Sequence, residues 1–159
     1  MGLFGSKPVA EKTLRECEKL VEEFFRQVGL NPNDQRVEGQ KGAWWAMRGS
    51  AVVYIFVNEA QDMNTLRIAS PILYLPHENL LPFYRACLEL NYSLVNCAMA
   101  VYKDIVYLIT ERPLLGLDPE EIQDTMNLLG FYADKYDNEL ADEFGAKIYS
   151  EQVQGVKIN

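Results

Sequence analysis

Histidine is nearly missing from this 159-residue chain: the single copy, His77, follows Pro76 in a polar loop. A lone imidazole has no partner set for zinc, and nothing in the sequence sets it beside a nucleophile. A surface or capping role is expected. Cysteine is scarce too. Cys17, Cys87 and Cys97 are odd in number and widely spaced, so they form no disulfide framework. They read as buried thiols in a reducing cytoplasm. No apolar run approaches the roughly 20 residues that a membrane helix needs, and no basic start leads into an apolar signal core. Cations are outnumbered, with 15 Lys and Arg against 23 Asp and Glu, for a formal net charge of -8. That balance disfavours nucleic acid, whose phosphates require a basic surface. It favours solubility and a basic patch on any partner.

Catalytic signatures are missing as well. There is no Gly-rich phosphate loop and no nucleophile elbow. Gly39 and Gly42 bracket Gln40-Lys41 in what reads as an ordinary turn. The acidic group Asp134, Asp137, Glu139, Asp142 and Glu143 fails the calcium-loop pattern, because Glu139 stands where that loop needs glycine. Its spacing suits the wet face of a helix. No carboxylate pair is singled out for acid–base work. The expectation is no enzyme, no cofactor, no metal, no nucleic acid and no membrane.

What the chain does have is alternation. Residues Leu94 to Arg112 read as two strands joined at Lys103-Asp104. Strand side chains point alternately to opposite faces. A turn centred on Lys103-Asp104 puts Val95, Cys97, Met99, Val101, Val106 and Leu108 on one face. Ala98, Ala100, Tyr102, Ile105, Tyr107 and Ile109 take the other. Both are apolar, unlike a sheet with one wet side. The chain's own helices are expected to cover one face. The other is covered by more of this chain, a second copy or a partner. Lys-Asp is not a favoured pair for a tight primed turn, so the register is open by one residue.

The remaining elements follow in order. Residues Met1 to Pro8 form a leader whose Gly2 fits a myristoylation pattern, against the plainer reading of a flexible terminus. A helix is expected over Val9 to Val28, with Leu14, Cys17, Leu20, Val21, Phe24, Phe25 and Val28 on one stripe and Gly29 ending it. Three strands come next. The first, Ala43 to Arg48, holds Trp44 and Trp45, which must face opposite sides. One enters the core and the other meets a partner, a ligand or a neighbouring loop. The second is Ala51 to Val57. The third, Thr65 to Leu75, contains Pro71, which lacks a donor and therefore implies an edge position or a bulge.

A second helix is expected over Glu78 to Leu90. Leu80, Leu81, Tyr84, Cys87 and Leu88 form its apolar side, and Asn91 serves as a left-handed exit. The last helix begins at Asp118-Pro119-Glu120-Glu121, with a cap, a proline at the first turn and acids at the positive end. It runs to Phe144 along Ile122, Met126, Leu129, Ala133, Tyr136, Leu140 and Phe144. Residues 146–159 form a tail, either disordered or an edge strand. The order is α-βββ-α-ββ-α, an α+β fold with one antiparallel sheet. The domain is placed at residues 9–145.

The segment with Trp44-Trp45, Arg48-Gly49-Ser50, the Ser70-Pro71 strand, Leu90-Asn91, the Leu94 to Arg112 hairpin and Leu117-Asp118-Pro119-Glu120-Glu121 resembles the bacterial YbjN-like family, in particular its cyanobacterial-type members. The resemblance covers roughly Thr13 to Phe144. It implies the fold of type III secretion chaperones such as the Tir chaperone, which are cytoplasmic, usually dimeric and bind unfolded client segments. It carries no catalytic residues.

Residues and resemblance together lead to one expectation. The chain is a non-enzymatic protein-interaction module, chaperone-like or regulatory, acting as a homodimer in the cytoplasm. The candidate partner or dimer surface is Trp44 or Trp45 with Tyr102, Ile105, Tyr107 and Ile109. Edge-strand addition or a segment lying in a groove are the natural binding modes. The alternative is a small-molecule sensor whose pocket is lined by the Trp pair and tyrosines.

Overall fold

The computed structural model describes residues 13–60 and 63–150, so the Gly2 pattern, the leader and the last nine positions lie outside it. The elements are α1 (Leu14–Gln27), β1 (Ala43–Arg48), β2 (Ala51–Ala60), β3 (Met63–Tyr74), α2 (Leu80–Asn91), β4 (Ala98–Tyr102), β5 (Ile105–Pro113) and α3 (Pro119–Phe144). The fold is α+β, and the strands form one antiparallel sheet in the order β1-β2-β3-β5-β4.

Local chemistry fixes the helix starts. Thr13 caps α1 in a reciprocal box: its hydroxyl accepts from the Glu16 amide, while the Glu16 carboxylate accepts from the Thr13 amide at 2.8 Å. The Asp118 side chain accepts from the Glu121 amide at 2.8 Å, and Pro119 opens α3. Gly145 ends α3 in the left-handed conformation, φ 65°. The α3 stripe expected from the sequence is the buried one, through Ile122, Met126, Leu129, Ala133, Tyr136 and Leu140.

One expectation about a turn needs correcting, and the edge-or-bulge alternative at Pro71 resolves to the bulge. Asn91 does not take a left-handed exit. It closes α2, and its side chain reaches the sheet edge instead. Asn91 Oδ1 accepts from the Met99 amide at 2.7 Å, and Asn91 Nδ2 donates to the Met99 carbonyl at 3.4 Å. One amide side chain thus stands in for a neighbouring strand on β4. Pro71 does not sit at an edge, because β3 is the central strand. The register slips between Pro71 and Leu73, which is the bulge alternative. Beside it, the Ser70 hydroxyl donates to the Val52 carbonyl at 2.8 Å, supplying a donor where proline has none.

Lys103 and Asp104 both have positive φ, 49° and 60°, as a primed two-residue turn requires. The register is the one centred on that pair, with Tyr102 opposite Ile105 and Val101 opposite Val106.

A single core joins α1, α3 and one sheet face. It includes Phe24, Phe25, Trp44, Val53, Ile55, Ile68, Val106, Leu108 and Leu129. The inward side of α2 is Phe83 and Cys87. Leu81, Tyr84 and Leu88, expected on the buried side, are instead exposed, Leu81 by 80%. Apolar residues surround this helix, so periodicity alone does not choose the face that packs.

Candidate functional site

The helix-free sheet face is built by alternation from every strand. On β1 and β2, Trp45 lies opposite Tyr54 and Met47 opposite Val52. Tyr54 continues to Ala69 on β3, Ala69 to Ile109 on β5, and Ile109 to Ala98 on β4. One apolar row therefore crosses the whole sheet. A second runs from Pro71 to Tyr107 and Ala100, and a third from Tyr74 to Ile105 and Tyr102. Small side chains, Ala69 and Pro71, occupy the central strand. Larger Tyr54 flanks them on one side, and Tyr107 and Ile109 on the other. Tyr54 stacks on Phe56 with ring centres 5.9 Å apart.

One end of this face is polar. Arg67 and Glu111 lie opposite each other on β3 and β5 and pair at 2.6 Å, and the Thr65 hydroxyl donates to Glu111 at 2.8 Å. Burial pulls the Glu111 carboxyl upward, but the Arg67 guanidinium and Thr65 hydroxyl outweigh it and hold it below the usual carboxylate range. The apolar rows thus end at a charged border.

The expected surface residues divide. Trp44 is wholly buried in the helix-covered core and is withdrawn from the candidate surface. Its ring lies under the Arg36 guanidinium, 4.3 Å from centre to Cζ, and Arg36 pairs with Glu22 at 2.7 Å. Trp45, Ile105, Tyr107 and Ile109 are half-buried on the helix-free face, and Tyr102 is 62% exposed there. The two tryptophans point through opposite sides of the sheet, so the pair does not line one pocket. The sequence-based candidates omitted Met47, Tyr54, Phe56 and Tyr74. The signal was the alternation of β2, in which Val52, Tyr54 and Phe56 share a face.

The acidic residues of α3 are not all on its wet side. Asp137 is 9% exposed. Burial pushes its carboxyl up, hydrogen bonds from Asn138 pull it down, and nearby Asp134 adds to the rise; the net shift is upward. Asp134 accepts from the Ser50 hydroxyl at 2.6 Å, tying α3 to the β1–β2 turn. Gly49 in that turn has φ 62°, and a Cβ there would collide with the Asp134 carboxylate. Both acids serve packing. Among the described residues no cluster of three or more His, Cys, Asp or Glu is arranged to hold a metal, and no helix is long and apolar enough to cross a membrane. Burial pushes the Cys87 and Cys97 thiols up to about 11, which favours the protonated thiol.

Comparison with solved structures finds the same architecture. A chain of the HopA1–SchA chaperone–effector complex matches with a TM-score of 0.58 at 12% identity, covering 77% of this chain and 93% of that one. A chain of the ExsC–ExsE complex matches with a TM-score of 0.61 at 14% identity, covering 81% and 96%. The Yersinia pestis type III secretion chaperone SycH, solved with a fragment of YscM2, gives a match with a TM-score of 0.54 at 17% identity, covering 74% and 97%. At these identities the likeness shows the fold. No curated protein matches the sequence. A family model does, over residues 16–152, described as T3SS (YopN, CesT) and YbjN peptide-binding chaperone 1. From the first turn of α1 to beyond the end of α3 the sequence fits that pattern, and the chain belongs to this TY-Chap1 family.

Proposed function

We propose that this protein is a non-enzymatic, cytoplasmic chaperone-like or regulatory module that holds an extended segment of a partner protein against its helix-free sheet face. The observation that carries the reading is the run of apolar rows from β1 to β4, with no helix of the described residues packed over them and a charged border at one end. A patch of that kind marks an interaction surface. Family membership supports a peptide as the ligand, and the solved neighbours include chaperone–effector complexes. Trp45, Tyr54, Tyr107 and Ile109 supply the contact area. A fully buried side chain of this size contributes roughly 1.5–3 kcal/mol.

The homodimer belongs to a second surface. Leu81 and Leu88 on α2 and Tyr92 just past its end are 80%, 69% and 96% exposed, and Tyr84 lies between the two leucines. Positions 81, 84, 88 and 92 fall on one helical stripe, which a twofold helix pair would bury. The sheet face then stays open to the partner.

The test is a tagged pull-down with mass spectrometry, run beside sedimentation. Tyr107→Glu and Ile109→Glu are expected to lose a near-stoichiometric partner while the fold stays intact. Leu88→Glu is expected to give monomers. If the sheet variants keep every partner, the face is wrongly assigned.

A further inference from the structure

From Ala146 the chain turns back onto the sheet. Ile148 bridges antiparallel to Leu73, the Tyr74 amide donates to the Lys147 carbonyl at 2.8 Å, and the Tyr149 amide donates to the Ile72 carbonyl at 2.9 Å. This short strand lies end to end with β2. The β2–β3 pairing ends at Tyr54 with Ala69, and the tail takes up the same side of β3 a few residues further on. Without the tail, the Ile72 carbonyl and the Tyr74 amide would stand open at the strand's edge.

The side chains follow the backbone. Ile148 shares the face of its partner Leu73, toward α3. Ile148 and Tyr149 both border a cleft at this end of the sheet, with Met47, Val52, Pro71 and Ala133. Tyr149 and Lys147 take the other face and flank Tyr74, with ring centres 5.4 Å apart for the tyrosines and the Lys147 ammonium 5.5 Å from the Tyr74 ring. The tail therefore adds a tyrosine to the row Tyr74, Ile105, Tyr102 on the candidate face.

The attachment is slight. Its backbone bonds to β3 are the two from Tyr74 and Tyr149, ring contacts with Tyr74 and packing of Ala146 on the core add to them, and Ile148 remains 39% exposed. Ordering several residues costs more conformational entropy than two such bonds return, so the contacts at Tyr74 and Ala146 supply the balance and leave little margin. A segment docked this way opens far more readily than the core strands.

We infer that the β3 edge at Ile72–Tyr74 is a strand-addition site, and that the tail is its resident occupant, exchanged for an extended partner segment of the same pattern. That pattern is an aliphatic side chain on the Leu73 side and aromatic or long side chains on the Tyr74 side, as in Lys147-Ile148-Tyr149. Main-chain bonds hold such a segment and alternate side chains select it. The inference rests on the reading of this protein as a peptide binder, and it assigns a second point of contact at the end of the apolar rows.

A blocked synthetic peptide of residues 145–150 serves as the probe, titrated into isotope-labelled full-length protein with the Tyr74 amide resonance as the readout. Ile148→Asp undocks the tail in cis and is expected to bind the peptide at least tenfold more tightly than the unchanged protein. The pair Leu73→Cys with Ile148→Cys locks the tail. Directly opposed, non-hydrogen-bonded residues sit about 4.5 Å apart at Cα, within disulfide range. The oxidised form is expected to refuse the peptide and the reduced form to accept it, so one protein controls for its own folding. Equal affinity in the unchanged and Ile148→Asp proteins, no binding to any form, or binding to the oxidised form would overturn the inference. A tail-exchanged dimer on sedimentation would overturn it too, giving the slot to a second copy. Ile109→Glu in the same titration separates the two readings. Peptide binding that survives it, while partner capture also survives, sinks the sheet-face assignment and leaves the strand-addition site standing.

Discussion

Trp44 and Trp45 are neighbours in sequence and opposites in role. Trp44 is fully enclosed between the sheet and its helices, whereas Trp45 is half-buried at the start of an apolar row that no helix of the described residues covers. Leu108 and Ile109 repeat the contrast on β5, the first with no exposure and the second half-buried. The two faces of the sheet have nearly the same chemistry. What differs is the cover, and the cover decides whether an apolar side chain stabilises the fold or waits for a partner.

The comparison breaks most sharply at the tryptophans. Trp44→Ala is expected to cost about 3–5 kcal/mol in urea unfolding, because a large buried side chain leaves a cavity behind. Trp45→Ala should cost no more than about 2 kcal/mol, in proportion to the smaller area it buries. Equal losses would mean that the outer face is covered in solution, by a second copy or by residues beyond those described. Intrinsic fluorescence gives an independent check. Emission of the Trp45→Ala protein, from Trp44 alone, should lie to the blue of the Trp44→Ala protein.

Leu108→Ala against Ile109→Ala repeats the test one strand from the far edge. A loss of about 2–5 kcal/mol is expected for the first and about 1 kcal/mol for the second. With partner bound the order should narrow, because Ile109 then becomes buried while Leu108 is unchanged.

Much of this was legible in the sequence, and the reasons are local. Alternation on β4 and β5 put Met99, Val106 and Leu108 together and Tyr102, Ile105, Tyr107 and Ile109 together, because strand period is fixed by backbone geometry. The α3 start at Asp118-Pro119 was legible because its cap needs only neighbouring residues. What the sequence did not show depends on the rest of the molecule. Nothing in Trp44-Trp45 says which ring turns inward. Nothing in α2, apolar on most sides, says that Phe83 and Cys87 pack and Leu81 and Leu88 do not. The left-handed exit expected at Asn91 gives way to a bond with Met99, which joins elements that only the fold brings together.

The edges of the sheet differ as its faces do. Backbone of residues 35–37 covers β1 through bonds from the Trp45 amide to the Gln35 carbonyl and from the Val37 amide to the Ala43 carbonyl. A single side chain serves β4. Asn91→Ala removes both bonds to Met99 and is expected to cost about 1 kcal/mol. Hydrogen exchange should show the Met99 amide losing protection while Trp45 keeps its own. Unchanged protection at Met99 would mean that another group covers this edge.

The smallest effect compares two carboxylates on opposite sides of the sheet. Glu111, on the open face, is held below its usual range, so the unfolded chain binds more protons in the acid region. Its contribution is present above the unfolded carboxylate value and lost as pH falls through the folded one. Asp137, packed on the helix side, is shifted upward mainly by burial, so the folded state binds more protons. Its contribution is complete below the unfolded value and is lost as pH rises through the folded one. Urea midpoints measured from acid to neutral pH should therefore separate the two variants. Glu111→Gln should remove part of the loss on the acid side. Asp137→Asn should gain on the parent as pH rises toward neutral, because an amide has no charge to desolvate. Slopes of the same sign would show that Asn138 outweighs burial at Asp137, and that the helix side of the sheet is wetter than the exposure of its side chains implies.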